Sequence, residues 1–290
     1  MEVEDMTVNS NFGAMGVANR IGNSTNQAGK ASGNIASGSR INRAAADAAG
    51  LAIAMKLGSQ VGGTGQAVRN VYDGISLLQT AEGALGGTQE MLGRINELSV
   101  QASSGTLNDE QRGFIQMEID QLKSEIDRVA GSTNFNGINL LDGSRSNANG
   151  GLTFQIGANG SEEQRFDVSI ESMNSRALGL AALDVRTMNG ASDAISMAEK
   201  AGTMVSEQRA SLGAAQNRLE HTANSLITSS ENLTAAQSRI ADADMAIEMI
   251  ALAKNNILQQ ASVAMLAHKI NEPQGMLALL NSGGAFNVKA

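Results

Sequence analysis

The chain has 290 residues, a formal net charge of −8, a sequence pI near 4.9 and only 2% aromatic residues. It contains no cysteine, which excludes disulfides, thiolate metal sites and a cysteine nucleophile. The acidic balance argues against a nucleic-acid partner, because phosphate binding relies on clustered Lys and Arg. So few aromatic side chains favour long, thin helical packing over a large globular core.

The first residues, Met1-Glu2-Val3-Glu4-Asp5, are acidic and lack the apolar core of a secretory signal peptide. No run of 18 apolar residues is present, so the sequence predicts no membrane partner or span. We therefore expect a cytoplasmic protein, or one exported without a cleaved signal peptide.

The N-terminal part of the chain, residues 1–44, combines a weak helical pattern with frequent glycine. Each glycine inside a helix costs about 1 kcal/mol relative to alanine. The segment is therefore predicted to be barely helical alone and helical only when packed. A short helix is predicted at 44–57, followed by a turn at the glycine run 62–65.

The middle of the chain predicts two helices, at 66–104 and 110–130, separated by turn residues at 105–109. The second helix has apolar residues at alternating spacings of four and three, which indicates a coiled-coil seam. The residues at 134–137 (NFNG) predict a turn after this helix. Residues 151–171 alternate apolar and polar side chains around a turn at 157–160, which predicts a β-hairpin.

Within the long stretch 191–270, every seventh residue from Ala191 to Ile247 is apolar, with small residues three positions later and Gln208 as the one large polar break. Such a repeat keeps one helix face against a partner. Because no proline precedes Pro273, we predict one continuous helix that runs antiparallel to the helices of 66–130. The fold class is mainly α: a long antiparallel helical rod or coiled-coil bundle with a small β-hairpin. The residues predicted to form the seam for pairing and polymerisation are Leu212, Leu219, Leu226, Leu233, Ile240, Ile257, Leu258, Leu266, Leu277 and Leu280.

No combination of residues predicts catalysis, a cofactor or a metal site. His221 and His268 are far apart in the sequence, and Asp242 and Asp244 are interpreted as surface charge. The chain is therefore predicted not to be an enzyme.

Several short stretches resemble bacterial flagellins, in that family's order along nearly the whole chain. Residues 37–42 (SGSRIN) and 47–53 (DAAGLAI) resemble the family's SSGLRIN and DDAAGLAI. Further matches are 73–76 (DGIS), 80–85 (TAEGAL), 97–101 (ELSVQ), 135–137 (FNG), 154–159 (FQIGAN), 177–180 (ALGL) and 257–261 (ILQQA).

The resemblance implies a core-only flagellin, a structural subunit that polymerises into the flagellar filament for motility. It implies an inner coiled-coil domain from 1–44 and 242–290, and an outer helical bundle from 45–241 that includes the β-hairpin 151–171. Implied partners are other copies of the chain, the flagellar export apparatus, an export chaperone, and hook-junction and cap proteins. The implied location is extracellular, in the flagellum, reached without a cleaved signal peptide.

The resemblance also implies recognition by the host Toll-like receptor for flagellin at Arg94, Leu98 and Glu118. From the residues alone, Leu98 fits a helix seam and the two charges fit a solvated surface. Two other functions stay open: a minor or hook-junction flagellin-like protein, and a signalling helical rod.

Overall fold

The structure is a computed structural model that describes the backbone of residues 12–283 and the side chains of residues 12–271. It confirms the mainly α fold class with a small β-hairpin. The described residues form five α-helices and two antiparallel strand pairs. These are α1 Phe12–Ser37, α2 Ala48–Ala102, α3 Asp109–Ser132, β1 Asn134–Phe135, β2 Ile138–Asn139, β3 Leu152–Gln155, β4 Arg165–Val168, α4 Met188–Ala241 and α5 Met245–Gly283.

The chain divides into two compact units. The first unit contains Met1–Gly58 and Ala235–Ala290, and the second unit contains Ser59–Thr234. Both ends of the chain therefore belong to the first unit, and the second unit is one uninterrupted stretch of sequence between them.

Helices α2 and α4 pack antiparallel in the second unit, as predicted. A Cβ atom at Gly74 would lie 3.4 Å from Leu219, and Gln216 Nε2 donates to Glu82 Oε2 at 3.1 Å. Moving along the contact, the residue numbers increase in α2 and decrease in α4, so the two helices run in opposite directions. The seven-residue repeat faces this contact, because its members Ala191, Ala198, Val205, Leu212 and Leu219 are all buried.

Gln208, the polar break in the repeat, is buried with 8% of its surface exposed. Its amide nitrogen donates to the Ser169 carbonyl oxygen at 3.2 Å, and its amide oxygen accepts from the Glu171 backbone N–H at 3.5 Å. The long polar side chain is needed because the segment after β4 brings unpaired backbone groups into the seam.

The two strand pairs match the predicted turns. β3 and β4 pair with Leu152 opposite Val168 and Phe154 opposite Phe166, which confirms the hairpin. The turn predicted at 134–137 joins β1 to β2, and both Asn136 (φ 50°) and Gly137 (φ 77°) have positive φ. A two-residue turn with this backbone is the kind that Asn-Gly favours.

The prediction of a short helix at 44–57 and a turn at 62–65 was wrong, because α2 runs through both regions. The tip of the β3–β4 hairpin lies against this part of α2. A Cβ atom at Gly63 would be 2.8 Å from Ala158 Cβ and 3.2 Å from its Cα. The absence of a side chain at Gly63 leaves room for the hairpin tip. Packing between the hairpin and α2 outweighs the low helix propensity of glycine.

Adjacent glycines in α2 provide a matched test of this contact. We expect Gly62→Ala to stabilise the second unit by up to about 1 kcal/mol, because no atom lies within 4 Å of its new Cβ. We expect Gly63→Ala to destabilise it by about 1–3 kcal/mol, because the hairpin must move. Urea unfolding followed by circular dichroism measures both. Equal stabilisation by the two substitutions would contradict the proposed packing.

The prediction of one continuous helix from 191 to 270 was also wrong, because α4 ends at Ala241 and α5 begins at Met245. Asp244 caps α5, since its Oδ1 accepts from the Ala246 N–H at 2.9 Å. The last carbonyl groups of α4 also have partners. Ala241 O accepts from Ser39 Oγ at 2.8 Å and from the Arg40 N–H at 2.7 Å. The interpretation of Asp244 as mere surface charge missed this cap.

The glycine-rich N-terminal segment is helical as α1 and packs along α5, in agreement with the expectation that it becomes helical when packed. Asn34 Nδ2 donates to Glu248 Oε1 at 2.9 Å, and Gln259 Nε2 donates to Thr25 Oγ1 at 3.3 Å. Within α1 only Ala31 is fully buried, so the helix contributes little core of its own. The first eleven residues lie outside the described part of the chain.

Helix α3 holds the segment that leads into α4. Gln116 Oε1 accepts from the Val185 N–H at 2.8 Å, and Asp127 accepts from the Ser175 N–H at 2.7 Å. Buried Arg112 donates to the Ala102 carbonyl oxygen at 2.9 Å, which satisfies the C-terminal end of α2. Sequence patterns predicted α3 itself but not these polar contacts.

Candidate interaction surfaces

Helix α5 presents an apolar side that nothing in the described structure covers. Five residues form it: Ile247, Ile250, Ile257, Leu258 and Met265, with exposed fractions of 64%, 68%, 65%, 44% and 55%. At about 100° per residue they fall within an arc of about 100° on the helix surface. We call this surface the outer stripe of α5. The exposed Lys254 falls within the same arc, so one charge interrupts the stripe. Exposed apolar residues grouped on one side of a helix are a mark of an interaction surface.

The predicted seam residues therefore have different environments. Leu212 and Leu219 are fully buried in the second unit, whereas Leu226, Leu233, Ile240 and Leu266 are half-buried. Ile257 and Leu258 belong to the outer stripe. Leu277 and Leu280 lie in α5 beyond the residues whose side chains are described.

The three residues predicted for receptor recognition lie close together on α2 and α3. Arg94 Nη2 lies 2.8 Å from Glu118 Oε1, and both side chains are about half exposed. Hydrogen bonding to Glu118, and secondarily to Glu97, raises the pKa of Arg94 above its ordinary value. Leu98 is only 2% exposed and belongs to the core. The accessible part of this group is the Arg94–Glu118 ion pair.

No group of three or more His, Asp or Glu side chains that could hold a metal ion occurs among the described residues. His221 and His268 are both exposed and lie on different helices. Of the helices that the structure describes, none is long and apolar enough to cross a membrane.

Exposed apolar residues along one side of a long helix are typical of structural proteins that associate with other chains. Comparisons with known proteins identify the family. Residues 8–146 match the bacterial flagellin N-terminal helical region, and residues 195–280 match the bacterial flagellin C-terminal helical region. The chain belongs to the bacterial flagellin family.

Two flagellar proteins and one solved structure are among the proteins to which this chain is similar. Flagellin from Bacillus subtilis (strain 168) is 44% identical over 305 residues, which cover 95% of this chain and 100% of that protein. The flagellar filament 30.7 kDa core protein of Treponema maltophilum is 42% identical over 287 residues, with the same coverage of 95% and 100%. The crystal structure of Bacillus cereus flagellin is 30% identical, with a TM-score of 0.47, and covers 58% of this chain and 94% of that one.

Proposed function

We propose that this chain is a structural subunit that polymerises into the bacterial flagellar filament, and that the first unit supplies the contacts. Family membership assigns a structural role rather than an enzymatic one. The observation that supports the choice of unit is the outer stripe of α5, where Ile247, Ile250 and Ile257 are each more than 60% exposed. Removing one such side chain from water contributes about 1.5–3 kcal/mol.

We further propose that residues 1–44 and 242–290 form the inner domain of the filament, and 45–241 the outer domain. The inner segments both lie in the first unit. Contacts between different surfaces of successive subunits are head-to-tail contacts, and these generate open helical filaments when the rotation between subunits does not close a ring. The resulting filament lies outside the cell and serves motility.

The proposed partners during export are the flagellar export apparatus and an export chaperone, and those in the finished flagellum are hook-junction and cap proteins. A chaperone that covers the outer stripe before assembly would keep this apolar surface out of water. Export without a cleaved signal peptide is part of the same proposal.

Seeded reassembly tests the proposed function. Purified chain is dissociated by heat, mixed with short filament seeds in salt, and viewed by electron microscopy. Long helical filaments are the expected result. A chain that stays monomeric or dimeric and never extends seeds would overturn the proposal and favour a minor, hook-junction or signalling role.

Host receptor recognition is a second proposal, which rests on the family resemblance and on the exposed Arg94–Glu118 pair. Buried Leu98 would act by positioning α2 rather than by direct contact. We expect Glu118→Ala to lower receptor activation on the order of tenfold, because a charge-assisted contact is lost. A reporter-cell assay measures this, with Glu110→Ala, an exposed acid on the same helix, as the control. An equal effect of both variants would refute a specific role for Glu118.

A further inference from the structure

The break between α4 and α5 lies inside a stretch of sequence that favours uninterrupted helix. No glycine or proline occurs between Gly213 and Pro273, and the seven-residue apolar repeat of α4 continues through Ile240 to Ile247. In one unbroken helix Ile247 would extend the apolar row of α4, whereas in the structure it is 64% exposed. The repeat therefore gives no reason for α4 to end at Ala241.

The local signal for the break is a single capping residue. Asp244 Oδ1 accepts from the Ala246 N–H at 2.9 Å and from the Ile247 N–H at 3.3 Å, and the Asp244 side chain lies in an exposed residue. An unbroken helix would replace this cap with backbone hydrogen bonds, because the Ala246 N–H would then donate to the Asp242 carbonyl oxygen. The cap alone therefore does not decide between the two structures.

The other contacts at the break come from the three residues that follow α1. We call residues 38–40 the clasp. The Arg40 N–H donates to the Ala241 carbonyl oxygen at 2.7 Å, and Ser39 Oγ donates to the same oxygen at 2.8 Å. Arg40 Nη2 donates to the Ile240 carbonyl oxygen at 2.7 Å. The clasp thus provides partners for the last two carbonyl groups of α4.

These contacts use the two oxygen atoms that an unbroken helix needs. In such a helix the Asp244 N–H would donate to the Ile240 oxygen, and the Met245 N–H would donate to the Ala241 oxygen. In the structure both oxygens accept from the clasp, and within the described residues the N–H groups of Asp244 and Met245 have no acceptor. Clasp binding and helix continuation therefore compete for the same two acceptors.

The backbone of the clasp has the conformation that this pairing requires. Gly38 has a φ of 68°, and its carbonyl oxygen accepts from the Ala243 N–H at 3.0 Å. Ser39 lies opposite Asp242 in an antiparallel bridge. A Cβ atom at Gly38 would meet no atom within 4 Å, so glycine is favoured there by the positive φ and not by crowding.

We propose that residues 236–250 have two alternative structures, a broken helix and an unbroken one, and that the clasp selects the broken one. Both the clasp and these residues belong to the first unit. The direction that α5 takes from the end of α4 is therefore set by a segment about two hundred residues earlier in the sequence. Displacing the clasp lets α4 continue through 242–244, which couples the placement of the N-terminal segment to the shape of the C-terminal helix. The inference concerns one molecule and does not depend on polymerisation.

Amide hydrogen exchange, read residue by residue in the full chain, tests the proposal. The clasp variant combines Gly38→Ala, Ser39→Ala and Arg40→Ala. Its Asp244 and Met245 amides should exchange on the order of tenfold more slowly than in the unmodified chain, because each gains a helical hydrogen bond. A loss of contacts by itself speeds exchange, so slower exchange is specific to an unbroken helix. Unchanged or faster exchange at both amides would overturn the proposal.

Two further variants separate the clasp from its surroundings. Gly33→Ala with Arg43→Ala changes the same residue types beside the clasp, where the new Cβ at residue 33 meets no atom within 4 Å and Arg43 is exposed. Asp244→Ala removes the local cap and keeps the clasp. In both variants exchange of the Met245 amide should stay within about threefold of the unmodified rate. Slow exchange in either one would show that the clasp does not set the break.

A disulfide across the bridge tests the same choice within one molecule, since the chain has no cysteine of its own. The hydrogen bonds flanking Ser39 and Asp242 define a bridge whose Cα atoms lie about 4.5 Å apart, which a disulfide can span. Ser39→Cys and Asp242→Cys are combined with Gly38→Ala and Arg40→Ala. The Met245 amide should exchange fast in the oxidised chain and on the order of tenfold more slowly in the reduced chain. Equal exchange in the two states would refute selection by the clasp.

Discussion

Replacing Ile257 with Asp is expected to abolish seed extension while leaving the isolated subunit folded. Ile257 lies near the middle of the outer stripe of α5 and is 65% exposed, so the charge is solvated in the monomer. In the filament the same charge would be buried without a partner, at a cost of several kcal/mol. Sedimentation of polymer after seeding measures the loss, and circular dichroism checks that the subunit's unfolding is unchanged.

The control for this substitution is Ile227→Asp, which changes the same residue type on α4 of the second unit, where 37% of the side chain is exposed. It should change the critical concentration less than about threefold. Normal seed extension by the Ile257→Asp chain would show that the outer stripe is not a subunit contact.

Truncating Leu212 to Ala is expected to lower the free energy of unfolding of the second unit by about 2–5 kcal/mol, because it leaves a cavity in a packed core. Leu212 is fully buried and belongs to the main apolar core. Guanidinium unfolding measures the change.

The matching variant on the same helix is Met204→Ala, whose side chain is 40% exposed and which should cost about 0.5 kcal/mol or less. Comparable losses in the two variants would mean that the seven-residue repeat of α4 does not face the core. A loss below 1 kcal/mol at Leu212 would mean the same.

The sequence predicted the parts of the fold that depend on periodic apolar residues. The repeat through Val205, Leu212 and Leu219 is buried as expected, and the alternation in β3 and β4 has the expected register. Both patterns depend on the spacing of apolar residues that become buried, and this spacing can be read from the sequence alone.

The errors all lie where a distant contact decides the local structure. The glycines at 62–65 have low helix propensity, but they remain helical because Ala158 packs against Gly63 from almost a hundred residues away. The end of α4 depends on hydrogen bonds from Ser39 and Arg40, some two hundred residues earlier. Only Asp244, a favoured N-cap residue, was a local signal for the break.

The candidate surfaces were predicted less completely than the fold. The apolar repeat predicted a seam for pairing and polymerisation, but which residues of α5 face α1 and which face water required coordinates. The ion pair between Arg94 and Glu118 links α2 to α3, and no periodic pattern in the sequence predicts such a contact.

The order of residues along the chain has a consequence for when association can begin. The first unit needs both α1 and α5, yet the whole of residues 59–234 lies between its two halves. Whether the chain emerges from a ribosome or from a narrow channel with its N-terminus first, the outer stripe of α5 is the last helical surface to appear. A partly emerged chain therefore has no complete first unit, and the proposed association through the outer stripe can begin only after residues 59–234 have emerged.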